Sequence, residues 1–164
     1  MSLSKLTIVI PTFYPGKIIK KCLESLPLKS EIIIIDNGDD LELEKIIKLQ
    51  KHKIKHYKVG DVGLSKSFNI ALAKSKNENI LITQPDVCFE KNSIINLVKA
   101  QKKYTKAGII SPLLFEKKKY SQYDYLDLSL SKLGALENKR RPKKVNMFPS
   151  GDICVEAVNA TAML

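Results

Sequence analysis

Four consecutive isoleucines, Ile32-Ile33-Ile34-Ile35, closed by Asp36, constrain this chain more than any other stretch. A short, uniformly β-branched run is what a strand needs when both of its faces are covered. Weaker forms of the signature recur at residues 6–10, ended by Pro11, and at 80–82, while residues 53–59 alternate. Between these runs the apolar residues switch to helical spacing. Ile18, Ile19, Cys22, Leu23 and Leu26 mark a first helix stopped by Pro27, and Leu43, Ile46, Ile47 and Leu49 a second within 41–50. Leu64, Phe68, Ala71 and Leu72 mark a third, and Ile94, Leu97 and Val98 a fourth, capped by Asn92. Residues 107–110 predict one further short strand. Strand and helix alternating through short links make an α/β fold, a mostly parallel sheet with helices on both faces. Such sheets bind ligands outside the carboxyl ends of their strands. Chemistry is therefore expected in Pro11-Thr12-Phe13, Asp36-Asn37-Gly38-Asp39-Asp40, Gly60-Asp61-Val62-Gly63 and Gln84-Pro85-Asp86.

Beyond Ser111 the periodicity loosens. Residues 112–150 hold Phe115, Tyr120, Tyr123 and Tyr125, the basic cluster Lys139-Arg140-Arg141 and proline breakers, which predicts a partly helical excursion. Residues 153–158 predict a last strand. The 164 residues, 44% of them hydrophobic, suit one domain over the whole chain, 1–164. No apolar run approaches the ~18 residues that span a bilayer, and residues 6–10 are too short for a leader's apolar core. The expected compartment is the cytoplasm. Cys22, Cys88 and Cys154 are odd in number and far apart, so buried free thiols are expected rather than a disulfide framework or zinc site. His52 and His56 flank an alternating stretch and are expected as a solvated pair.

The net charge of +11 favours anionic partners. Scattered lysines read first as solvated surface, and second as peripheral attachment to the acidic inner face of a membrane. No nucleic-acid motif is present, which sets nucleic acid aside as a partner.

Three sets of residues carry chemistry. Asp36, delivered by the isoleucine run, can accept hydrogen bonds from a base or ribose, although Asp-Asn-Gly is strong turn chemistry by itself. Asp86 can ligate a hard cation, Mg²⁺ or Mn²⁺, that bridges two phosphates. The loop 60–67 nearly fits G-x-x-x-x-G-K-S, failing at Ser65, so an ATPase or kinase using that loop is an alternative function. A non-catalytic basic binding module is a third.

Read together, these loops resemble family 2 glycosyltransferases of the GT-A, Rossmann-like fold. Leu6-Thr7-Ile8-Val9-Ile10-Pro11-Thr12-Phe13 is similar to the family's first strand and nucleotide-contacting loop. Ile34-Ile35-Asp36-Asn37-Gly38 is similar to its second, where the aspartate contacts the uracil, thymine or ribose. Gly60-Asp61-Val62-Gly63 through Asn69 resembles the N-x-G-x-x-x-x-x-N segment, and Gln84-Pro85-Asp86-Val87 the metal motif. Val158-Asn159-Ala160-Thr161-Ala162-Met163-Leu164 resembles the acceptor-side G-A-x-M-L segment. The resemblance implies a metal-assisted, inverting transfer of a sugar from a UDP or dTDP donor to a polysaccharide or lipid-linked glycan acceptor. The implied donor-site residues are Pro11, Thr12, Phe13, Asp36, Gly63, Lys66, Asn69, Gln84 and Asp86, with Asp86 on the Mg²⁺ or Mn²⁺ ion.

Departures from the pattern shape the expectation. Gln84 stands where the D-x-D motif has its first aspartate, a variant seen in the rhamnosyl- and galactofuranosyl-transferring branch, and Ala160 stands where glycine is usual. An inverting transfer needs a general base, which in this family is a carboxylate beyond the M-L segment. The chain is thus expected to lack the acceptor and base region and to bind donor with little transfer. No catalytic base is assigned, since neither Asp152 nor Glu156 matches that position.

Overall fold

A computed structural model of the chain describes residues 3–115, 123–124, 128–130, 136–138, 152, 158 and 161–164. Its centre is a five-stranded sheet in the order β3-β2-β1-β4-β9. The strands are β1 (Leu6–Thr12), β2 (Glu31–Asp36), β3 (Ile54–Lys58), β4 (Asn79–Thr83) and β9 (Ala162–Met163). The first four are parallel, and β9 runs antiparallel along β4. Helices α1 (Ile18–Ser25), α2 (Leu41–Lys48) and α3 (Leu64–Lys74) link the parallel strands, and α4 (Ser93–Lys103) follows β4. Short two-stranded ribbons pair β5 (Leu114–Phe115) with β6 (Tyr123–Asp124) and β7 (Leu128–Leu130) with β8 (Leu136–Asn138).

The isoleucine run behaves as its composition demands. All four residues are fully buried, on alternating faces. Ile32 and Ile34 join Ile8 and Ile10 beneath α1, α2 and α4, through Ile19, Leu23, Leu43, Ile46, Leu97 and Val98. Ile33 and Ile35 join Val9 beneath α3, through Ala71. Each buried isoleucine contributes roughly 1.5–3 kcal/mol of transfer free energy, so a one-residue slip of β2 would exchange two packed layers at once. Helices therefore cover both faces, as expected of this fold class.

Several local expectations are corrected. Pro11 does not end β1, which runs on to Thr12. Pairing with β4 stops at Val9 while pairing with β2 continues to Thr12. Pro11 points to the β4 side, where no ladder bond is left for its missing N–H to break. Helix α2 ends at Lys48 rather than residue 50. Residues 107–110 form a bend and coil: Ala107 donates to the Tyr104 carbonyl (3.0 Å), and Ile110 exchanges backbone hydrogen bonds with Leu164, at 2.8 Å each. Asn92 precedes α4 as expected, but it is left-handed (φ 69°) and its side chain makes no cap bond. In the excursion after residue 112, the described elements are the short strands β5 to β8, not helix. The strand expected at 153–157 lies outside the described residues, and Val158 belongs to no strand. Among the described residues, no helix is long and apolar enough to cross a membrane.

Candidate functional site

Because β1 to β4 are parallel, their carboxyl ends share one edge, and each delivers a loop there. A cavity of about 160 Å³ opens at this edge. Pro11, Thr12 and Phe13 from the end of β1 form one wall, and Asn37 from the end of β2 its floor. Asp61, Gly63 and Leu64, from the turn into α3, form the other wall. Phe13 and the next residue, Tyr14, stand exposed at the rim with their rings edge to face, 5.0 Å between centroids. Tyr14 has a left-handed backbone (φ 45°) and packs on Gly38, where a Cβ would lie 2.9 Å from the Tyr14 backbone nitrogen. Glycine at 38 is thus what lets the two loops touch.

Asn37 stitches the cavity together. Its Nδ2 donates to the Thr12 carbonyl (3.1 Å) and its Oδ1 accepts from the Val62 N–H (3.3 Å). The Ser67 hydroxyl lies 3.0 Å from the same Oδ1 and 2.8 Å from the Gly63 carbonyl, with one proton to give. A buried amide with these partners joins three loops and leaves no orphaned polar group.

Asp36 sits differently from expectation. Its side chain is fully buried and does not line the cavity. Oδ1 accepts from the Gly38 N–H (3.0 Å), and Oδ2 accepts from the Asp40 N–H (3.3 Å) and faces His56 Nε2 at 3.1 Å. A carboxylate engaged this way organises its loop, and Asn37, not Asp36, lines the cavity. Asp36 and Asp86 share the strand-end edge but not one cavity, since Asp86 is exposed on the turn after β4. Gln84 in that turn is half-buried, donating its N–H to the Thr161 carbonyl (3.1 Å). Lys66 and Asn69 are exposed along α3, and Gly63 alone of the expected α3-side residues lines the cavity.

The histidines and thiols also depart from expectation. His56 is held against Asp36, and His52 Nε2 lies 3.1 Å from the Leu26 carbonyl, so they are not a solvated pair. Cys22 is buried and donates to the Gln84 carbonyl (3.6 Å), whereas Cys88 is exposed. Burial first, then the neighbouring Cys88 and Asp86, push the Cys22 thiol up to about 12. Cys154 lies outside the described residues.

The phosphate-cradle alternative meets an obstacle in the same loop. The Val62 N–H turns inward, to the Gly60 carbonyl (2.8 Å) and Asn37 Oδ1, so it is unavailable to an external anion. A wrap of convergent N–H groups is what that motif requires.

The sequence as a whole decides the assignment: the model of Glycosyl transferase family 2 matches residues 7–159. The chain belongs to glycosyltransferase family 2. No curated protein matches this family 2 chain significantly. Among solved structures it is similar to S. aureus TarS. Residues 1–349 of TarS share 18% identity, with a TM-score of 0.52 over 72% of this chain and 40% of that one. The same TarS segment in complex with UDP-GlcNAc gives a TM-score of 0.55 over 72% and 39% at 18% identity. A longer TarS chain gives 0.54 over 72% and 24%, again at 18% identity. This likeness shows the GT-A, Rossmann-like fold. The chain spans about two fifths of the shorter TarS segment.

Two further features bear on family 2 chemistry. Asp152 accepts from the Tyr104 hydroxyl (2.7 Å) and from Lys103 (3.2 Å), which hold its carboxyl below the usual range. That is the wrong direction for a general base; Glu156 lies outside the described residues. Among the described residues no cluster of three His, Cys, Asp or Glu could hold a metal ion. Asp86 offers hard oxygen donors, which suit Mg²⁺ or Mn²⁺ when substrate phosphates supply most of the coordination.

Tyr14, Asn37, Asp61 and Leu64 were not among the expected donor-site residues. Aromatics followed by Pro15-Gly16 directly after a strand were the available signal for Tyr14. Nothing in the sequence distinguishes Asn37 from Asp36.

Proposed function

We propose that this family 2 chain binds a nucleoside diphosphate sugar at the strand-end cavity and serves metal-assisted, inverting transfer of the sugar to a glycan or lipid-linked acceptor. The observation that carries the proposal is the cavity itself. It is a mostly apolar slot between Thr12, Phe13, Asn37 and Asp61 at the edge where parallel sheets bind ligands. The rim rings of Phe13 and Tyr14 offer a face for a uracil or thymine, and the TarS complex with UDP-GlcNAc supports a donor of that class. Pro11 and Gly63 shape the slot, and Lys66 and Asn69, exposed on α3, would assist at the sugar diphosphate.

Charge at this edge argues for a cation. Asp61 and Asp86 are exposed there, so an entering diphosphate is repelled unless something positive lies between. Asp86, beside Gln84, would hold Mg²⁺ or Mn²⁺ together with the diphosphate. When bound, such an ion supplies Lewis-acid stabilisation of charge on the leaving diphosphate. Attachment to the inner face of a membrane and a cytoplasmic setting agree with the +11 charge and remain part of the proposal.

A thermal-shift panel of UDP, dTDP and ATP, with and without MnCl₂, tests this. Ligand at about 100 times Kd stabilises by about 2.7 kcal/mol. For a chain of this size that raises Tm by roughly 5–10 °C. UDP or dTDP with Mn²⁺ should give that rise, and ATP should not. A rise with ATP alone, or with none of the three, refutes the proposal.

A further inference from the structure

The donor cavity has a floor residue, Asn37, and a rim residue, Tyr14, and both depend on the five-residue turn 36–40. That turn is organised around one buried carboxylate. Asp36 binds the Gly38 and Asp40 N–H groups, Gly38 receives Tyr14, and Asp40 accepts from the Gly16 N–H (3.3 Å) and the Glu42 N–H (2.8 Å). Among the described residues, the side chain that meets Asp36 is that of His56. His56 lies opposite Ile34 on β3, on the sheet face that Asp36 shares, and its ring is largely buried. It reaches two residues along β2 to place Nε2 3.1 Å from Asp36 Oδ2. His56 is not among the residues that line the cavity.

We propose that His56 is a positioning residue for the donor. Its Nε2–H fixes the Asp36 carboxylate, which fixes the turn, which sets Asn37 in the floor and Tyr14 at the rim. Without that donor, Asp36 Oδ2 keeps only the longer Asp40 N–H bond, and the buried carboxylate is held mainly by the Gly38 N–H on Oδ1. The turn then loses its preorganisation, and ligand must supply the ordering on binding. The proposal rests on the donor reading given above.

The test measures UDP affinity by calorimetry, with MnCl₂ present, for the wild-type chain and for His56→Asn and His56→Gln. The asparagine amide is too short to reach Asp36; the glutamine amide places an N–H close to where Nε2 stood. Each variant is studied below its own unfolding temperature, with circular dichroism confirming the fold. Glu31→Gln, at the opposite edge of the sheet, is the control for lost stability alone. His56→Asn should weaken UDP binding at least tenfold, His56→Gln should return to within about threefold of wild type, and Glu31→Gln should lower Tm without changing affinity. Should His56→Asn not fold, the glutamine variant must still bind within about threefold while His56→Leu, the apolar replacement, loses at least tenfold. Asparagine or leucine variants that bind UDP as well as wild type overturn the positioning role. A wild-type chain that binds no UDP overturns instead the donor reading.

Discussion

Replacing Gly38 with alanine should damage this protein out of proportion to one methyl group. The added Cβ would lie 2.8 Å from Tyr14 Cδ2, 2.9 Å from the Tyr14 backbone nitrogen and 3.0 Å from Cε2. Ordinary contact begins near 3.4 Å, so the two loops must part by about half an ångström. Rotating the tyrosine ring relieves two of those contacts but not the one to the backbone nitrogen. The Tyr14 loop cannot drift freely either, because the Gly16 N–H is tied to Asp40. Overpacking of this kind costs about 1–3 kcal/mol. Gly38 does not have a positive φ, so alanine also recovers about 0.4–1 kcal/mol from the unfolded chain. The central values, about 2 kcal/mol less about 0.7, leave a net loss of about 1.3 kcal/mol, or roughly 3–5 °C in Tm for 164 residues. Gly108→Ala is the control: nothing lies within 4 Å of its Cβ and its φ is not positive. Thermal unfolding by circular dichroism should show Gly38→Ala below wild type and Gly108→Ala at or above it. Adding Tyr14→Ala to Gly38→Ala should recover only part of the loss, since the backbone contact stays. A Gly38→Ala chain as stable as wild type would refute the loop-on-loop contact from which the cavity rim is argued.

Asp86→Asn, at an exposed position, should leave the unliganded stability within about ±0.5 kcal/mol of wild type but abolish the Mn²⁺-dependent part of UDP binding in calorimetry. Asn37→Ala removes a buried amide bonded to three loops, so urea titration should show a loss of about 1–3 kcal/mol together with weakened UDP affinity. In a Cys154→Ser background, a thiol reagent should label exposed Cys88 quickly and reach Cys22 only in denaturant, as burial and a thiol pushed up to about 12 require. Burial opposes ionisation of Glu31, but hydrogen bonds from Lys55, Thr7 and the Lys76 N–H outweigh it and hold its carboxyl below the ordinary range. Its stabilisation is present above the unfolded pKa and is lost as pH falls through the folded one. The Tm gap between wild type and Glu31→Gln should therefore be widest near neutral pH, shrink as pH falls below the ordinary carboxylate range and close once it passes the lowered folded pKa.

The sheet was legible because burial on both faces leaves a composition that nothing else produces. Ile32 to Ile35 specified a central strand, and the helical spacings on either side specified the crossovers. That same double burial hid the site's detail. With both faces apolar, period-two alternation does not tell which of Asp36 and Asn37 turns inward. On the Ile34 face Asp36 is taken up by His56 and the N–H groups of its own turn, and the cavity received Asn37. Pro11 misled because a proline breaks a strand only where its N–H would have been used, and β1 has one partner fewer beyond Val9. Residues 107–110 were apolar enough for a strand, but only Ile110 finds a pairing partner, the distant Leu164, among the described residues. His56 was visible as a strand residue. Its partner, twenty positions back, required the β2–β3 register to be known.

Titrating UDP with MgCl₂ into the ¹⁵N-labelled chain, while following backbone amide shifts, tests most directly where the donor binds. The expected result is saturable change at Thr12, Phe13, Tyr14, Asn37 and the amides of 61–64, with the far edge around Glu31 and Lys76 unmoved. Saturable change confined to the groove between Leu3 and Ile95, with the strand-end loops silent, would contradict it.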